Sequence, residues 1–533
     1  MKTRNLKIAA VATMIVQLTA CGGGEGSSYE DLGQSENYNK VAYTEEEAGE
    51  IVENYDMDMM MEDDIAQIEF NTEEYAYMPE NEFLSPGSNP LSTFSIDVDN
   101  ASYTNVRRFI EDGVKPPVDA VRTEEFINYF DYDYPVPTKD ETFSVYTEVG
   151  DCPWNKKNRL VHIGLKGYTV DVEDLPPSNL VFLIDVSGSM EDHNKLPLLK
   201  KSYKLLVDKL NAKDRVSIVT YAGDERVVLE STSCEHKDEI KEAIDNLTSG
   251  GSTNGAGGIE KAYEIAVDNL LEDGNNRVIL ATDGDFNIGR SSDGELTRLI
   301  EEKRDQGVFL TILGFGMGNY KDSKMESLAD HGNGNYFYID DIRESNRVLV
   351  TNLAGTLLTI AKDVKIQVEF NPDLVKEYRL IGYENRVMNN EDFDNDKKDA
   401  GELGAGHTVT AIYEIVPGKA DKSNLKYQQS QSSKSDELVW VKLRYKKPKG
   451  SKSKLIEMPV KDKGLQWEEN SESFKFSVAV AGFSLILRES QYINDFDMDD
   501  VSDMLKEIVK IDDLQKVEFL QLVEQAKLIP EAS

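Results

Sequence analysis

The sequence VFLIDVSGSM occupies residues 181–190 and joins an unbroken apolar run to a carboxylate and two hydroxyls at alternating positions. The apolar run predicts a strand that is buried on both faces, as in a parallel sheet. Asp185, Ser187 and Ser189 then fall in the loop that leaves the strand, where open α/β sheets bind their ligands. Hard oxygen donors without a soft ligand suit Mg²⁺ or Mn²⁺. These residues therefore predict a metal-binding loop at the carboxyl end of a strand.

Two downstream segments supply the further oxygen donors that such a metal needs. GGSTNG at residues 250–255 is a glycine-rich turn before a long helix, and it contains Thr253. VILATDG at residues 278–284 reads as a second buried strand, and it ends in Asp283. Because ligands of an open α/β sheet gather at the carboxyl ends of its strands, we expect these side chains to meet the first loop.

The three segments together resemble the von Willebrand factor type A (vWA) family and its metal ion-dependent adhesion site. All five positions of that site are matched, by Asp185, Ser187, Ser189, Thr253 and Asp283. The resemblance implies that the two serines bind the metal directly and that the threonine binds directly or through water. It implies that the two aspartates act largely through bridging waters. The implied ion is Mg²⁺, with Mn²⁺ or Ca²⁺ as alternatives.

Residues 176–360 alternate strand and helix patterns, which predicts an α/β fold with a doubly wound, mostly parallel, Rossmann-like sheet. The predicted strands are residues 179–185, 215–221, 226–230, 277–282, 308–315 and 336–339. One predicted helix begins at Pro197, and the others cover residues 237–247, 255–271, 295–306, 324–331 and 343–361. The vWA resemblance implies the strand order 3-2-1-4-5-6, with the third strand antiparallel.

The N-terminus has the composition of a targeting signal. A basic start at residues 2–7 precedes an apolar stretch at residues 8–18, which is too short to span a bilayer as a stable anchor. LTAC at residues 18–21 resembles a bacterial lipobox, which implies that residues 1–20 are a lipoprotein signal peptide and that Cys21 is acylated. An ordinary secretory signal is the alternative. We expect a lipid-anchored protein of the bacterial cell envelope, placed at the outer membrane.

The charge of the chain is strongly negative, with a formal net charge of −39. Nucleic acid is therefore excluded as a partner, because a phosphate backbone needs Lys and Arg to replace its counterions. Residues 22–90 contain 19 Asp or Glu and one basic residue, Lys40, and so carry nearly half of the net negative charge. We predict that residues 21–90 form an acidic flexible tether.

Two further segments flank the predicted vWA domain. Residues 91–175 are predicted to form a small N-terminal domain, with a strand at 92–99 and a helix at 102–113. Residues 361–533 are predicted to form a C-terminal α+β region, first with alternating antiparallel strands at 364–370 and 440–445 and then with helices at 477–487 and 501–528. The first segment contains STFSIDVD at residues 92–99, YTNVRRF at 103–109 and EEFINYF at 124–130, and the second contains EDF at 391–393, DAGE at 399–402 and GAGH at 404–407. With these motifs, both segments resemble the flanking domains of one subfamily of bacterial envelope lipoproteins that carry a vWA domain.

Other patterns of reactive residues favour structural roles. Asp97 and Asp99 are similar to the first motif of haloacid dehalogenase-type phosphatases, but Ala101 stands where that motif needs Thr or Val. The acidic run at residues 392–396 is similar to the start of a calcium-binding EF-hand loop but lacks the glycine and the final glutamate. Cys152 and Cys234 are expected to be buried free thiols, with a disulfide between them as the alternative.

The function that these features favour is metal-dependent adhesion. With only two carboxylates near the ion, the site stays short of negative charge, so an Asp or Glu of a protein partner can complete the coordination sphere. A structural or assembly scaffold, in which the metal only stabilises the domain, is the alternative. A metal-dependent hydrolase is disfavoured because the chain has no paired histidine ligands and no nucleophile motif, and we expect no enzyme activity.

Overall fold

The computed structural model describes residues 73–96, 98–138, 140–251, 255–284, 293–317, 321–421 and 435–530. The predicted signal peptide, the Cys21 that is predicted to be acylated, and residues 21–72 of the predicted tether lie outside the described residues, as do Asp97 and Thr253. Residues 73–90 were predicted to belong to the tether but are part of the fold, because the Leu84 amide donates to Tyr378 O at 2.8 Å. Among the described residues, the helices are all too short or too polar to cross a membrane.

The strands and helices follow one another in three segments, with the α/β segment between two β-rich segments. In chain order the strands are β1 (Leu91–Ser95), β2 (Phe143–Asp151), β3 (Arg159–Gly167), β4 (Ser178–Asp185), β5 (Arg215–Tyr221), β6 (Glu225–Ser233), β7 (Asn275–Thr282), β8 (Val308–Phe315), β9 (Tyr336–Ile339), β10 (Thr359–Phe370), β11 (Val375–Ile381), β12 (Gly401–Gly404), β13 (Thr408–Pro417), β14 (Val439–Lys446) and β15 (Lys454–Val460). The α-helices are α1 (Ala101–Glu111), α2 (Thr123–Asn128), α3 (Leu196–Lys209), α4 (Lys237–Asp245), α5 (Gly255–Asp268), α6 (Asp293–Asp305), α7 (Asp322–His331), α8 (Ile342–Asn346), α9 (Leu353–Leu357), α10 (Glu472–Leu487), α11 (Met498–Ile508) and α12 (Leu514–Ala526).

The α/β segment forms a six-stranded sheet with the order β6-β5-β4-β7-β8-β9. Strand β6 runs antiparallel to β5, and the remaining neighbours pair in parallel. The predicted α/β fold class and the predicted order 3-2-1-4-5-6 are therefore confirmed. All eight residues of the central strand β4 are buried, as the unbroken apolar run predicts for a strand covered on both faces.

Alternate side chains of β4 enter two different apolar cores. Phe182 and Ile184 pack with helix α3 residues such as Leu199 on one face of the sheet. Val181 and Leu183 pack with helix α5 residues on the other face. Alternation of this kind is the geometry of a strand between two helical layers. Because both faces of β4 are covered by apolar side chains, polar residues are placed at its carboxyl end.

The β-rich segments from both sides of the α/β segment pair with each other. Strand β1 pairs with β10 in the sheet β1-β10-β14-β15, to which β12 adds, and β3 pairs with β13 in the sheet β11-β13-β3-β2. Both sheets share one apolar core, so they form a β-sandwich. The structure thus differs from the predicted division into separate flanking domains at 91–175 and 361–533. The reason is that β1, β2 and β3 alone cannot cover their apolar faces or their open edges.

Helices cover the outer face of the four-stranded sheet. Leu160 and Ile412, from β3 and β13, share a core with α1, α2 and the C-terminal helices α10 to α12. Two predicted helices differ from the structure. The predicted helix at 501–528 is divided between α11 and α12, where Asp513 caps α12 by accepting from the Lys516 amide. The predicted helix at 343–361 is divided into α8, a π-helical turn at Arg347–Thr351 and α9. It ends at Leu357 because the alternating apolar residues that follow belong to β10.

Candidate functional site

The carboxyl ends of β4 and β7 lie side by side, because the two strands pair in parallel and in register. Asp185 is the last residue of β4 and is fully buried. Its Oδ1 accepts the Ser187 amide at 2.9 Å, and its Oδ2 accepts Thr282 Oγ1 from the end of β7 at 3.5 Å. Hydrogen bonds from neighbouring residues therefore fix the orientation of the Asp185 carboxylate at this end of the sheet.

The two predicted serine ligands lie together in the loop after β4. Ser187 Oγ and Ser189 Oγ are 3.0 Å apart, with Ser187 buried and Ser189 exposed. The loop is held against the glycine turn, since the Gly188 amide donates to Gly251 O at 3.1 Å and the Gly250 amide donates to Val186 O at 2.8 Å. These bonds bring the first and second predicted segments together. Thr253 itself is outside the described residues.

Asp283 follows β7 and completes the described part of the predicted set. Its side chain is 2% exposed and contacts Lys195 Nζ at 3.3 Å through Oδ2. The same ammonium donates to Ser189 O at 2.9 Å. The structure therefore joins Asp283 to the serine loop through Lys195, a residue that the sequence patterns did not identify. The signal for it in the sequence is its position at the start of α3, directly after the loop that contains Ser187 and Ser189.

Burial dominates the electrostatics of Asp185. Desolvation raises the pKa of its carboxyl to about 6, with the nearby Asp283 adding to the rise and the hydrogen bonds from Ser187 opposing it. A buried carboxylate of this kind gains from a nearby cation, because the cation restores the favourable interaction that water no longer supplies.

The arrangement fits a small divalent cation. Two ligands at neighbouring corners of an octahedron with bonds of about 2.0–2.1 Å lie about 3.0 Å apart, which is the distance between the two serine hydroxyls. The donors are carboxylate and hydroxyl oxygens, which suit Mg²⁺ better than a soft metal. Asp185, Ser187, Ser189 and Asp283 are the described residues that would hold such an ion.

The patterns that were disfavoured in the sequence have structural partners. Lys365 Nζ donates to Asp392 O and Asn395 O, so a lysine occupies the interior of the EF-hand-like loop. Asp99 Oδ1 accepts the Tyr336 amide at 2.9 Å and thereby joins the loop before α1 to β9. Cys152 and Cys234 are buried free thiols, which confirms the prediction made for them.

Profiles of known families match three parts of the chain. The von Willebrand factor type A domain matches residues 179–351, a profile described as von Willebrand factor matches residues 69–162, and the C-terminal domain described as that of uncharacterized protein YfbK matches residues 355–529. The protein named "Uncharacterized protein YfbK" of Escherichia coli (strain K12) is 42% identical over 477 residues, which cover 87% of this chain and 82% of that protein. The chain belongs to the YfbK family of vWA proteins. Domains of the vWA type commonly mediate protein–protein interaction.

Other proteins are similar to this chain at lower identity or over a smaller part of its length. Inter-alpha-trypsin inhibitor heavy chain H4 of Sus scrofa is 31% identical over 153 residues, which cover 26% of this YfbK-family chain and 16% of that protein. Among solved structures, von Willebrand factor type A from Catenulispora acidiphila is 16% identical with a TM-score of 0.41, covering 74% of this chain and 91% of its own. The ArnB paralog VWA2 from Sulfolobus acidocaldarius is 16% identical with a TM-score of 0.35, covering 73% and 97%.

Proposed function

We propose that this protein binds a protein partner through a divalent ion, with Mg²⁺ favoured over Mn²⁺ and Ca²⁺. Asp185, Ser187, Ser189, Thr253 and Asp283 hold the ion, and an Asp or Glu of the partner supplies the last ligand. The observation that carries the proposal is the pair of serine hydroxyls 3.0 Å apart beside the buried Asp185. Two hydroxyl oxygens at this separation beside a buried carboxylate are donors that a hard cation can bind together.

The charge of the site favours an acidic ligand from outside. Serine hydroxyls are neutral ligands, so they leave most of the charge of a divalent ion uncompensated. Asp185, Asp283 and Lys195 together carry one net negative charge, and a divalent ion makes their sum positive. A carboxylate of the partner then neutralises the loaded site, so binding depends on both the metal and the acid.

We propose binding rather than turnover as the role of the site. Metal-assisted hydrolysis needs a base or nucleophile placed beside the metal-bound water. His193 lies in the loop before α3 with its side chain exposed, whereas His162 and His407 belong to the β-sandwich. The donors of the site itself are hydroxyls and carboxylates that serve as ligands in the proposal.

The proposal includes an envelope location. A lipobox-like LTAC at residues 18–21 supports acylation of Cys21 and anchoring in the outer membrane. The acidic segment before residue 73 is then the tether between the anchor and the folded part. Incorporation of a radiolabelled fatty acid into the wild-type chain, and its loss in Cys21→Ser, would support this part of the proposal; equal labelling would overturn it.

A pull-down from envelope extract tests the adhesion mechanism. The full-length chain is used as bait with Mg²⁺ or with EDTA, beside the variants Asp185→Asn and Asp238→Asn. Asp238 is an exposed acid of α4, so its variant has the same charge change outside the site. A partner retained with Mg²⁺ by wild type and Asp238→Asn, and lost with EDTA or Asp185→Asn, supports the proposal. Equal recovery in every sample contradicts it and favours the scaffold alternative.

A further inference from the structure

We infer that Lys195 is a positioning residue of the proposed metal site, where its ammonium lowers the affinity for the ion and strengthens the attraction of the loaded ion for a carboxylate. This inference rests on the proposed function and adds a residue that the vWA motif positions do not include. It also gives the site a measurable property, which is weaker metal binding than its two carboxylates alone would produce.

The ammonium of Lys195 contacts two residues of the loop after β4 and one residue after β7. Nζ donates to Ser189 O at 2.9 Å, contacts Asp283 Oδ2 at 3.3 Å, and lies 3.5 Å from Asp192 Oδ2. The Lys195 side chain is 9% exposed and that of Asp283 is 2% exposed, whereas that of Asp192 is 61% exposed. The bond to Asp283 is therefore the shielded one, and it connects Lys195 to a proposed metal ligand.

The stem of Lys195 lies in a slot that the fold keeps open. Gly316, after β8, has a φ of +75°, and a Cβ added there would come within 2.3 Å of Lys195 Cε and 2.6 Å of Cγ. The Gly316 carbonyl accepts from Tyr338 Oη at 2.5 Å, which fixes the backbone of the slot. The Lys195 amide also donates to Asp192 O, and Lys195 O accepts from the Leu199 amide. Both ends of the lysine are thus held, and its ammonium stays at the site.

A fixed ammonium has opposite effects on the binding of the metal ion and on the binding of an acidic ligand to the loaded site. A divalent ion bound beside Asp283 is repelled by the Lys195 ammonium, which contacts the same carboxylate. This repulsion weakens the binding of the ion. Once the ion is bound, Asp185, Asp283, Lys195 and the ion have one net positive charge, whereas without the ammonium these groups would be neutral. Lys195 therefore weakens metal binding and strengthens the electrostatic attraction of an acidic ligand.

Titration of the full-length chain with Mn²⁺, with free Mn²⁺ read from its electron paramagnetic resonance signal, tests the first effect. Lys195→Met keeps the length of the stem in the slot but removes the charge. We expect it to bind Mn²⁺ roughly tenfold more tightly than wild type. Lys201→Met removes an exposed lysine from the same helix and should leave the affinity unchanged. A purely structural role predicts the opposite sign, because a damaged site binds metal less well.

Acetate serves as the carboxylate probe for the second effect. Acetate that displaces water from bound Mn²⁺ lowers the water-proton relaxation rate, and we expect Lys195→Met to need several-fold more acetate than wild type for the same change. Lys195→Arg keeps the charge and should stay near wild type in both titrations. Lys195→Gln also removes the charge, and it takes the place of Lys195→Met with the same expected results if that variant does not fold.

The outcomes separate this inference from the proposed function. Equal or weaker Mn²⁺ binding by a folded Lys195→Met, or an affinity for Lys195→Arg that follows the Met variant, overturns the role of Lys195 while metal binding by wild type still supports the proposed function. Binding by Lys195→Met in the absence of binding by wild type supports the inhibitory charge and contradicts the proposed function. Absence of Mn²⁺ binding in all the proteins overturns both.

Discussion

Buried charge is arranged differently at the end of the sheet that carries the proposed metal site (the metal-site end) and at the junction between the sheet and the β-sandwich. At the metal-site end, Asp185 and Asp283 lie with Lys195, and burial raises the pKa of Asp185 to about 6. At the junction, Arg107 and Arg122 are almost completely buried and each is surrounded by carboxylates. The first arrangement gains from an added cation, and the second already contains its cations.

The two buried arginines of the junction are bound by neighbouring carboxylates and hydroxyls. Arg107 of α1 binds Asp340 through Nε and Nη2, both at 2.7 Å, and its Nη1 donates to Tyr129 Oη at 2.9 Å. Arg122 precedes α2 and contacts Glu125 and Asp322. These bonds attach the flanking helices to the β9 edge of the six-stranded sheet. Buried charge that the protein itself compensates indicates a structural role, whereas charge that still gains from a cation indicates binding.

Removal of the junction cation at Arg122 is expected to have the largest effect. Arg122→Met leaves Glu125 and Asp322 buried without that guanidinium, and loss of one partner of a buried pair costs about 3–5 kcal/mol of unfolding free energy. Urea unfolding measures this loss. Arg226→Met, at an exposed position of β6, is the control and should cost less than about 1 kcal/mol. Similar losses in both variants would contradict the structural role of the junction.

A neutral buried histidine gives the next largest effect, through pH. His162 is fully buried, with Nε2 2.7 Å from Tyr134 Oη and Nδ1 3.1 Å from Ser477 Oγ, and burial lowers its pKa to about 4. The unfolded chain binds this proton near pH 6.5 and the folded chain only near pH 4. Stability is therefore unaffected above that window and falls by roughly 3 kcal/mol as the pH drops through it.

The pH effect is measured by urea unfolding at pH 7 and at pH 4.5. His162→Gln should lose a large part of the pH dependence, whereas His236→Gln, at an exposed position, should retain it. His407 is also buried with its pKa lowered to about 4, so some pH dependence should remain in His162→Gln. If His162→Gln and wild type lost the same unfolding free energy between pH 7 and pH 4.5, the role given to His162 would be contradicted.

At the metal-site end, Asp185→Asn should not lower the unfolding free energy, whereas Arg122→Met at the junction should lower it. Because burial raises the pKa of this carboxyl, ionisation between pH 4 and 6 lowers the stability of the folded state, and the variant avoids that cost. In EDTA at pH 7 we expect Asp185→Asn to be as stable as wild type or more stable by about 1–2 kcal/mol. Mg²⁺ at a hundredfold excess over its Kd should add about 2.7 kcal/mol to wild type and nothing to the variant.

These values come from urea unfolding of both proteins in EDTA and in Mg²⁺. A loss of several kcal/mol by Asp185→Asn in EDTA would mean that the carboxylate is a structural group like those of the junction. An equal Mg²⁺ effect in both proteins would place the ion elsewhere.

The smallest effect is expected in the EF-hand-like loop. Asp394 contacts Arg444, but its side chain is 78% exposed. Exposed ion pairs contribute less than about 1 kcal/mol, so Asp394→Asn should change the unfolding free energy by less than that. Since Lys365 already binds the backbone of this loop, Ca²⁺ should bind wild type and Asp394→Asn equally, as isothermal titration calorimetry can show. Loss of a Ca²⁺ site in the variant would contradict the assignment of this loop.

The strands of the α/β segment could be predicted accurately from the sequence, because each of them is marked by a local run of apolar residues. Buried parallel strands are unbroken apolar runs, and β5, β8 and β9 have the predicted bounds. The predicted residues Asp185, Ser187 and Ser189 share one loop, so their proximity follows from spacing alone. The meeting with Asp283 depends on parallel pairing of β4 and β7, which the apolar runs also predict.

The rest of the chain depends on pairings that no local pattern contains. Strands β1 and β10, and β3 and β13, meet across the whole α/β segment, and alternating residues indicate a strand without naming its partner. Lys195 was missed for a related reason. A lysine at the start of a helix reads as a surface residue, and only the open slot at Gly316 directs it inward.

A Mn²⁺ binding isotherm for the full-length chain tests the central claim most directly. Wild type and Asp238→Asn are compared with Asp185→Asn by electron paramagnetic resonance, and Mg²⁺ is then added as a competitor. The account predicts one saturable site in wild type and Asp238→Asn, displacement by Mg²⁺, and loss of the site in Asp185→Asn. Absence of saturable binding to wild type, or equal binding by Asp185→Asn, would contradict it.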